Sequence, residues 1–89
     1  MSWTKDEIKG KILHKLTRKG KFEHSHTAIE NLQAGFPGDL LGRVKENIED
    51  LKRERILIQK KTSYGEHVSL DVDKNESVMR YILIFLKKE

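Results

Sequence analysis

His24 and His26 stand one residue apart, and in an extended segment side chains at that spacing point the same way. Two imidazoles so placed suit Zn²⁺ or Cu²⁺. A closed site needs more ligands. Glu23, Glu30 and His67 are in the chain, but no spacing ties them to the pair. The plainer reading is a polar loop entering a helix, so no metal and no cofactor is expected. Asp71 and Asp73 are also two apart, yet Asp73-Lys74-Asn75-Glu76 reads as a helix start, which explains Asp73 without catalysis. There is no Gly-x-Ser-x-Gly elbow and no phosphate-cradling glycine loop. With no cysteine there is no thiol nucleophile, thiolate metal site or disulfide framework. The chain does not read as an enzyme.

Chemistry of another kind is carried by the cations. The 89 residues have a net charge of +4, unevenly spread. Residues 1–21 hold seven Lys and Arg against two acids, residues 22–58 five against seven, and residues 59–89 six against five. The basic excess therefore belongs to the first helix, where Lys11, His14, Lys15 and Arg18 fall on the outward face. Lys60 and Lys61 form a second small patch, with Ser63 and Tyr64 close by at a glycine turn. A basic bias permits a polyanionic partner, although solvated lysines serve solubility equally well. Tyr64 can stack on a base or sugar, or pack on its own hairpin.

The elements that must position these residues are legible from period and punctuation. Charged and hydrophobic residues each make up 36% of the chain, a mix that suits one small folded domain. Thr4-Lys5-Asp6-Glu7 is a capping box, with Trp3 and Ile8 at the hydrophobic-staple positions. Ile8, Ile12, Leu13 and Leu16 face inward, and Gly20 is placed to end the helix. Lys21-Phe22-Glu23 is a short extended link able to form a small first strand. Thr27-Ala28-Ile29-Glu30 is a second capping box, predicting a short helix from Thr27 to Gln33 that Gly35 ends.

Phe36-Pro37 turns the chain into a third helix, from Gly38 or Asp39 to about Arg55, with Leu41, Val44, Ile48 and Leu51 inward. Its outward face carries Asp39, Gly42, Glu46, Glu49, Asp50 and Arg53, with Arg43, Lys45 and Lys52 on the flanks. Arg43 with Asn47, or Lys45 with Glu49, can pair along the helix. Ile56 to Lys61 and His67 to Asp71 read as an antiparallel hairpin, with Ile56 and Ile58 sharing a face with Val68 and Leu70. Asp73 then caps a last helix to about Leu86, in which Val78, Ile82 and Phe85 cover the first helix. Tyr81, Leu83 and Ile84 are left over, an apolar patch of the kind that marks an interface, and a homodimer through them is expected. The longest apolar run, Tyr81 to Leu86, is too short for a bilayer, and the start of the chain lacks a signal pattern. No membrane partner and a cytoplasmic location are expected.

Helix, short link, helix, turn, helix, hairpin, helix: this order resembles the winged helix-turn-helix domain, with residues 25–71 carrying the likeness. Lys61-Thr62-Ser63-Tyr64-Gly65, followed by Val68-Ser69-Leu70, is similar to small archaeal winged-helix proteins. The resemblance implies an α+β, mainly α fold with a three-helix core, a two-stranded wing and a C-terminal helix. It also implies duplex DNA as partner and a role in transcription regulation. The third helix would enter the major groove through Arg43, Lys45 and Asn47. The wing would hold the backbone through Lys60, Lys61, Ser63 and Tyr64, with Lys11, Lys15 and Arg18 of the first helix adding charge. Carboxylates on the outer face of the third helix depart from that pattern. The alternative is an interaction module whose acidic third helix faces a protein.

Overall fold

Thr4 starts the first helix, α1 (Lys5–Arg18), by the reciprocal bonds of a capping box: Glu7 N donates to Thr4 Oγ1 at 3.1 Å, and Thr4 N to Glu7 Oε1 at 2.9 Å. The computed structural model describes residues 2–88. It is an α+β, mainly α protein of four helices and one antiparallel three-stranded sheet among those residues. Gly20, at φ +67°, ends α1 in the left-handed conformation that glycine takes without strain. Trp3 packs against the core that contains Ile8. It stacks on Phe85, with ring centroids 6.3 Å apart, and meets the edge of Phe36 at 5.6 Å.

The next stretch departs from its local signals. Thr27–Ala28 is a strand, β1, and the helix that follows, α2, is short (Glu30–Gln33). Thr27 is buried opposite Val68, and its hydroxyl accepts from Asn31 Nδ2 at 3.0 Å rather than capping a helix. A β-branched residue beside a waiting strand edge gains more from the ladder than from one helical turn. Lys21 and Glu23 also bond the sheet: Leu70 N donates to Lys21 O at 2.8 Å and Glu23 N to Leu70 O at 3.1 Å.

A 3-10 turn (Gly38–Leu40) leads into α3 (Leu41–Arg53), and Leu40 rather than Leu41 takes the buried position. Arg55 stands at φ +63°, and Ile56 links α3 to the sheet: its amide donates to Leu51 O at 3.0 Å and its carbonyl accepts from Asp71 N at 3.1 Å. The strand β2 (Leu57–Thr62) starts one residue later than expected. It pairs with β3 (Gly65–Leu70) in a register of Leu57 with Leu70 and Gln59 with Val68. Leu57 and Gln59 share a face with Val68 and Leu70, and Ile58 falls on the opposite face with Ser69, which is itself fully buried. A slip of one residue exchanges faces, which is why the pairing of Ile56 and Ile58 with Val68 and Leu70 does not form. The strand order is β1-β3-β2, and Ser63-Tyr64 is the hairpin turn.

Asp71, not Asp73, opens the last segment: its Oδ1 accepts from Asp73 N at 2.9 Å ahead of a 3-10 turn (Val72–Lys74) and α4 (Asn75–Leu86). Helix α4 lies against α1, and Gly10 lets it come close. A Cβ on Gly10 would sit 2.2 Å from Tyr81 O and 2.6 Å from Phe85 Cβ. Beside that crossing Tyr81 turns inward. Its hydroxyl donates to Glu54 at 2.7 Å, and the Lys9 ammonium lies 5.4 Å from its ring centroid and 2.7 Å from Glu54. The core gathers Ile8, Ile12, Leu13 and Leu16 with Val44, Ile48, Leu51, Val68, Leu70, Val78 and Ile82.

Gly10→Ala should lower stability by about 1–3 kcal/mol through overpacking, although alanine is the better helix former by ~1 kcal/mol. Thermal melts check this, and an unchanged or higher Tm would refute the close-approach account. A second expectation concerns alkaline pH. Burial pulls the Lys9 ammonium down, but Glu54 outweighs it and the pKa stands raised. Lys52 behaves alike, burial opposing and Glu49 and Glu66 prevailing, while burial and the Glu54 bond raise Tyr81. All three protons are held more tightly by the folded chain. Their contribution is whole below the unfolded values of about 10 to 10.4 and is lost as pH rises through the raised folded ones. Denaturant melts should show stability falling above pH ~10, less steeply in Tyr81→Phe.

Candidate nucleic-acid interface

Four cations follow one another along the solvent side of α1 and its end: Lys11, Lys15, Arg18 and Lys19, with His14 among them. Helical spacing puts them there, because Ile8, Ile12, Leu13 and Leu16 claim the other side for the core. They rim a groove of about 560 Å³ between α1 and the end of α4, with Phe85 and Leu86 as its apolar wall. The His14 and Phe85 rings meet there at 5.7 Å. Among the described residues, none of the four cations has a carboxylate partner within salt-bridge distance.

Two of the four are half-buried and work on the fold. Lys11 donates to Gly35 O at 2.6 Å, its ammonium 4.8 Å from the Phe36 ring and 5.5 Å from Trp3. Lys15 donates to Asn31 O at 3.3 Å and to Ala34 O. Together they tie the carbonyls around the end of α2 to α1. Burial lowers the Lys15 pKa, and the charges of Lys11 and Lys19 lower it further. An ammonium pushed in that direction by its neighbours is stabilised by any anion that approaches. Arg18 and Lys19 are exposed and carry no such duty. Lys19 was missed from sequence, although it directly follows Arg18.

Three residues of α3 were expected to face a partner, and they divide. Asn47 is corrected: it is only 2% exposed, and its Nδ2 donates to Arg43 O at 2.8 Å. It lies three residues after Val44 and four before Leu51, which puts it inside the apolar stripe. Its Oδ1 has no hydrogen-bond partner. Arg43 is half-buried at a depression of about 430 Å³ that it shares with Lys5, Glu46, Asn47, Glu49, Asp50 and Arg53. Lys45 is exposed, beside Glu30, Glu49 and Glu66. Glu49 accepts from Lys52 at 2.8 Å rather than from Lys45, Lys52 also holds Glu66, and Arg53 pairs with Asp50. Glu46, Glu49 and Asp50 thus share the surface of α3 with four cations, of which Lys52 and Arg53 are paired with carboxylates and Arg43 and Lys45 are in no salt bridge among the described residues.

On the hairpin, Tyr64 is 92% exposed at the turn and Ser63 is exposed beside it. The turn is fixed by Thr62 Oγ1, which accepts from Tyr64 N at 3.1 Å and donates to Gly65 O at 2.9 Å. Lys60 lies opposite His67 and Lys61 opposite Glu66, so the two lysines leave opposite faces of the sheet. Of the proposed interface on α4, Leu83 is 49% exposed and Ile84 half-buried. Tyr81 is corrected, because its ring and hydroxyl are committed to Lys9 and Glu54.

The His-x-His pair separates. His24 is exposed, while His26 Nδ1 lies 2.8 Å from His67 Nδ1 with the rings edge to face. In that bond one ring donates and the other accepts. Among the described residues no three His, Cys, Asp or Glu side chains are grouped to hold a metal ion. No helix of the described residues is long and apolar enough to cross a membrane. A scan of protein-family models and searches of curated proteins and of solved structures each found no match.

Adding Zn²⁺ should leave the Tm unchanged, since the His26 and His67 nitrogens satisfy one another and no third ligand joins them. A zinc-dependent rise that disappears in His26→Ala would contradict this, because a metal bound only by the folded chain must stabilise it.

Proposed function

We propose that this chain is a winged-helix DNA-binding domain acting in transcription regulation, and that it holds duplex DNA through α1 and the hairpin while α3 stays off the bases. Support for the winged-helix reading comes from the order of helices and strands and from a sheet ordered β1-β3-β2 behind a two-stranded hairpin. The observation that carries the DNA reading is the row Lys11, Lys15, Arg18 and Lys19, crowded together without a carboxylate partner among the described residues. Phosphates are the ligands such a row attracts, and releasing their counterions drives the binding. Lys60 on one hairpin face, with Tyr64 and Ser63 at the tip, supplies the second hold.

The carboxylates of α3 set the mode. Glu46, Glu49 and Asp50 would repel phosphates in the major groove, and Asn47 is turned inward, out of reach of a base edge. Binding through α1 and the hairpin is therefore a backbone hold with little sequence selectivity. The same carboxylates favour a second reading, in which α3 receives a basic segment of a protein partner.

Duplex binding by fluorescence anisotropy over a salt series separates the two. Wild type should bind at low salt, with log K falling by roughly 0.9 per phosphate contact against log salt. Arg18→Ala with Lys19→Ala should reduce that slope by about 2, and Lys60→Ala with Lys61→Ala by about 1, since one of those lysines leaves the other face. Glu46→Gln should change affinity by less than about twofold. No binding at low salt, or slopes untouched by both lysine-arginine changes, would sink the DNA reading and leave the protein partner.

A further inference from the structure

Helix α4 buries Val78 and Ile82 against α1 and leaves a second apolar strip in solvent. Met79 is 43% exposed, Leu83 49% and Leu86 50%, and Val72, just before the helix, 47%. At 100° per residue Glu76, Leu83 and Lys87 run down one line of the helix, with Met79 and Leu86 on one side of it and Arg80 on the other. Met79, Arg80, Leu83 and Ile84 border a shallow depression of about 460 Å³ that has Glu76 at one end and Lys87 at the other. Among the described residues neither Glu76, Arg80 nor Lys87 is in a salt bridge. Val72, Met79, Leu83 and Leu86 are four of the five large hydrophobic residues that stand exposed among the described residues, the fifth being Tyr64.

We infer that α4 is the seat of a homodimer in which a second copy of the chain lies antiparallel on this strip. The charges choose the occupant. The strip carries Glu76 at the N-terminal end of the helix, Arg80 a turn later and Lys87 at the C-terminal end. A two-fold axis between Arg80 and Leu83 brings Glu76 of one copy opposite Lys87 of the other, twice, and sets Met79 against the Leu83-Ile84 end of its mate. The Arg80 stem then lies along Leu83, its apolar length covered and its head in water. A parallel arrangement would oppose Glu76 to Glu76 and Lys87 to Lys87, so the surface is complementary to itself only under the two-fold. Tyr81, whose ring belongs to the Lys9-Glu54 cluster, takes no part. The inference does not rest on the DNA reading: none of the α1 cations lines the depression at Leu83 and Glu76, although Leu86 borders both surfaces.

Light scattering on the full chain tests it. At several hundred micromolar the wild type should weigh twice its 10.4 kDa. Leu83→Glu should be a folded monomer, with unchanged circular dichroism since the residue is half in solvent. Glu76→Lys and Lys87→Glu should each weaken self-association by about tenfold, because each change makes two like-charge contacts. Mixed in equal amounts, those two variants should associate as well as wild type, every 76–87 contact then joining opposite charges. A monomeric wild type overturns the dimer. Association that persists in Leu83→Glu overturns the seat on α4, and a mixture no better than its parts overturns the antiparallel arrangement.

Discussion

The near contact of α1 and α4 at Gly10 is the constraint on which the other arrangements rest. A helix backbone reaches the carbonyl of Tyr81 only where no Cβ intervenes. That approach sets the rotation of α4 and sends Phe85 under Trp3. It also brings Tyr81 over Lys9, where the buried ammonium meets Glu54 from the end of α3. Three helices are thereby joined at a polar junction whose members satisfy each other, the condition for keeping a charge out of water. The same rotation leaves Met79 and Leu83 exposed on α4, with Leu86 exposed at the rim of the α1 groove.

Electrostatics divides the molecule. The cations of α1 are crowded beside neutral carbonyls, and burial with like charge lowers the Lys15 pKa. On α3 cations stand among carboxylates, and two of its four are paired, Lys52 with Glu49 and Glu66 and Arg53 with Asp50. A net charge of +4 conceals this contrast, because a sum carries no positions. An anion would seek α1 rather than α3, because the α1 groove has no carboxylate among its lining residues and the surface of α3 carries Glu46, Glu49 and Asp50.

The sheet illustrates how one tertiary bond can redirect several side chains. Arg55 stands at a positive φ, Ile56 is fixed to Leu51, and the strand opens at Leu57. Everything on β2 follows from that starting point: Ile58 opposite Ser69, Lys60 opposite His67, Lys61 opposite Glu66. His67 in turn meets His26, which β1 carries to the sheet edge.

The elements with local causes were legible in the chain itself. Thr4 and Glu7 cap α1, apolar residues at helical spacing face its core, Gly20 ends it, and the hairpin turns before Gly65, because each needs only neighbours within a turn of sequence. The basic row of α1 and the carboxylates of α3 were legible for the same reason, since helical period alone sorts them. What depended on distant partners was not. Thr27 pairs with Val68 instead of capping a helix, Asn47 and Tyr81 turn inward, and His26 finds His67 rather than His24. Each of these outcomes sets a weak local preference against a long-range bond or packed surface, and burial decides it. Strand register is the extreme case: its period is two, so a shift of a single residue, set where the strand opens at Leu57, exchanges one face of the sheet for the other.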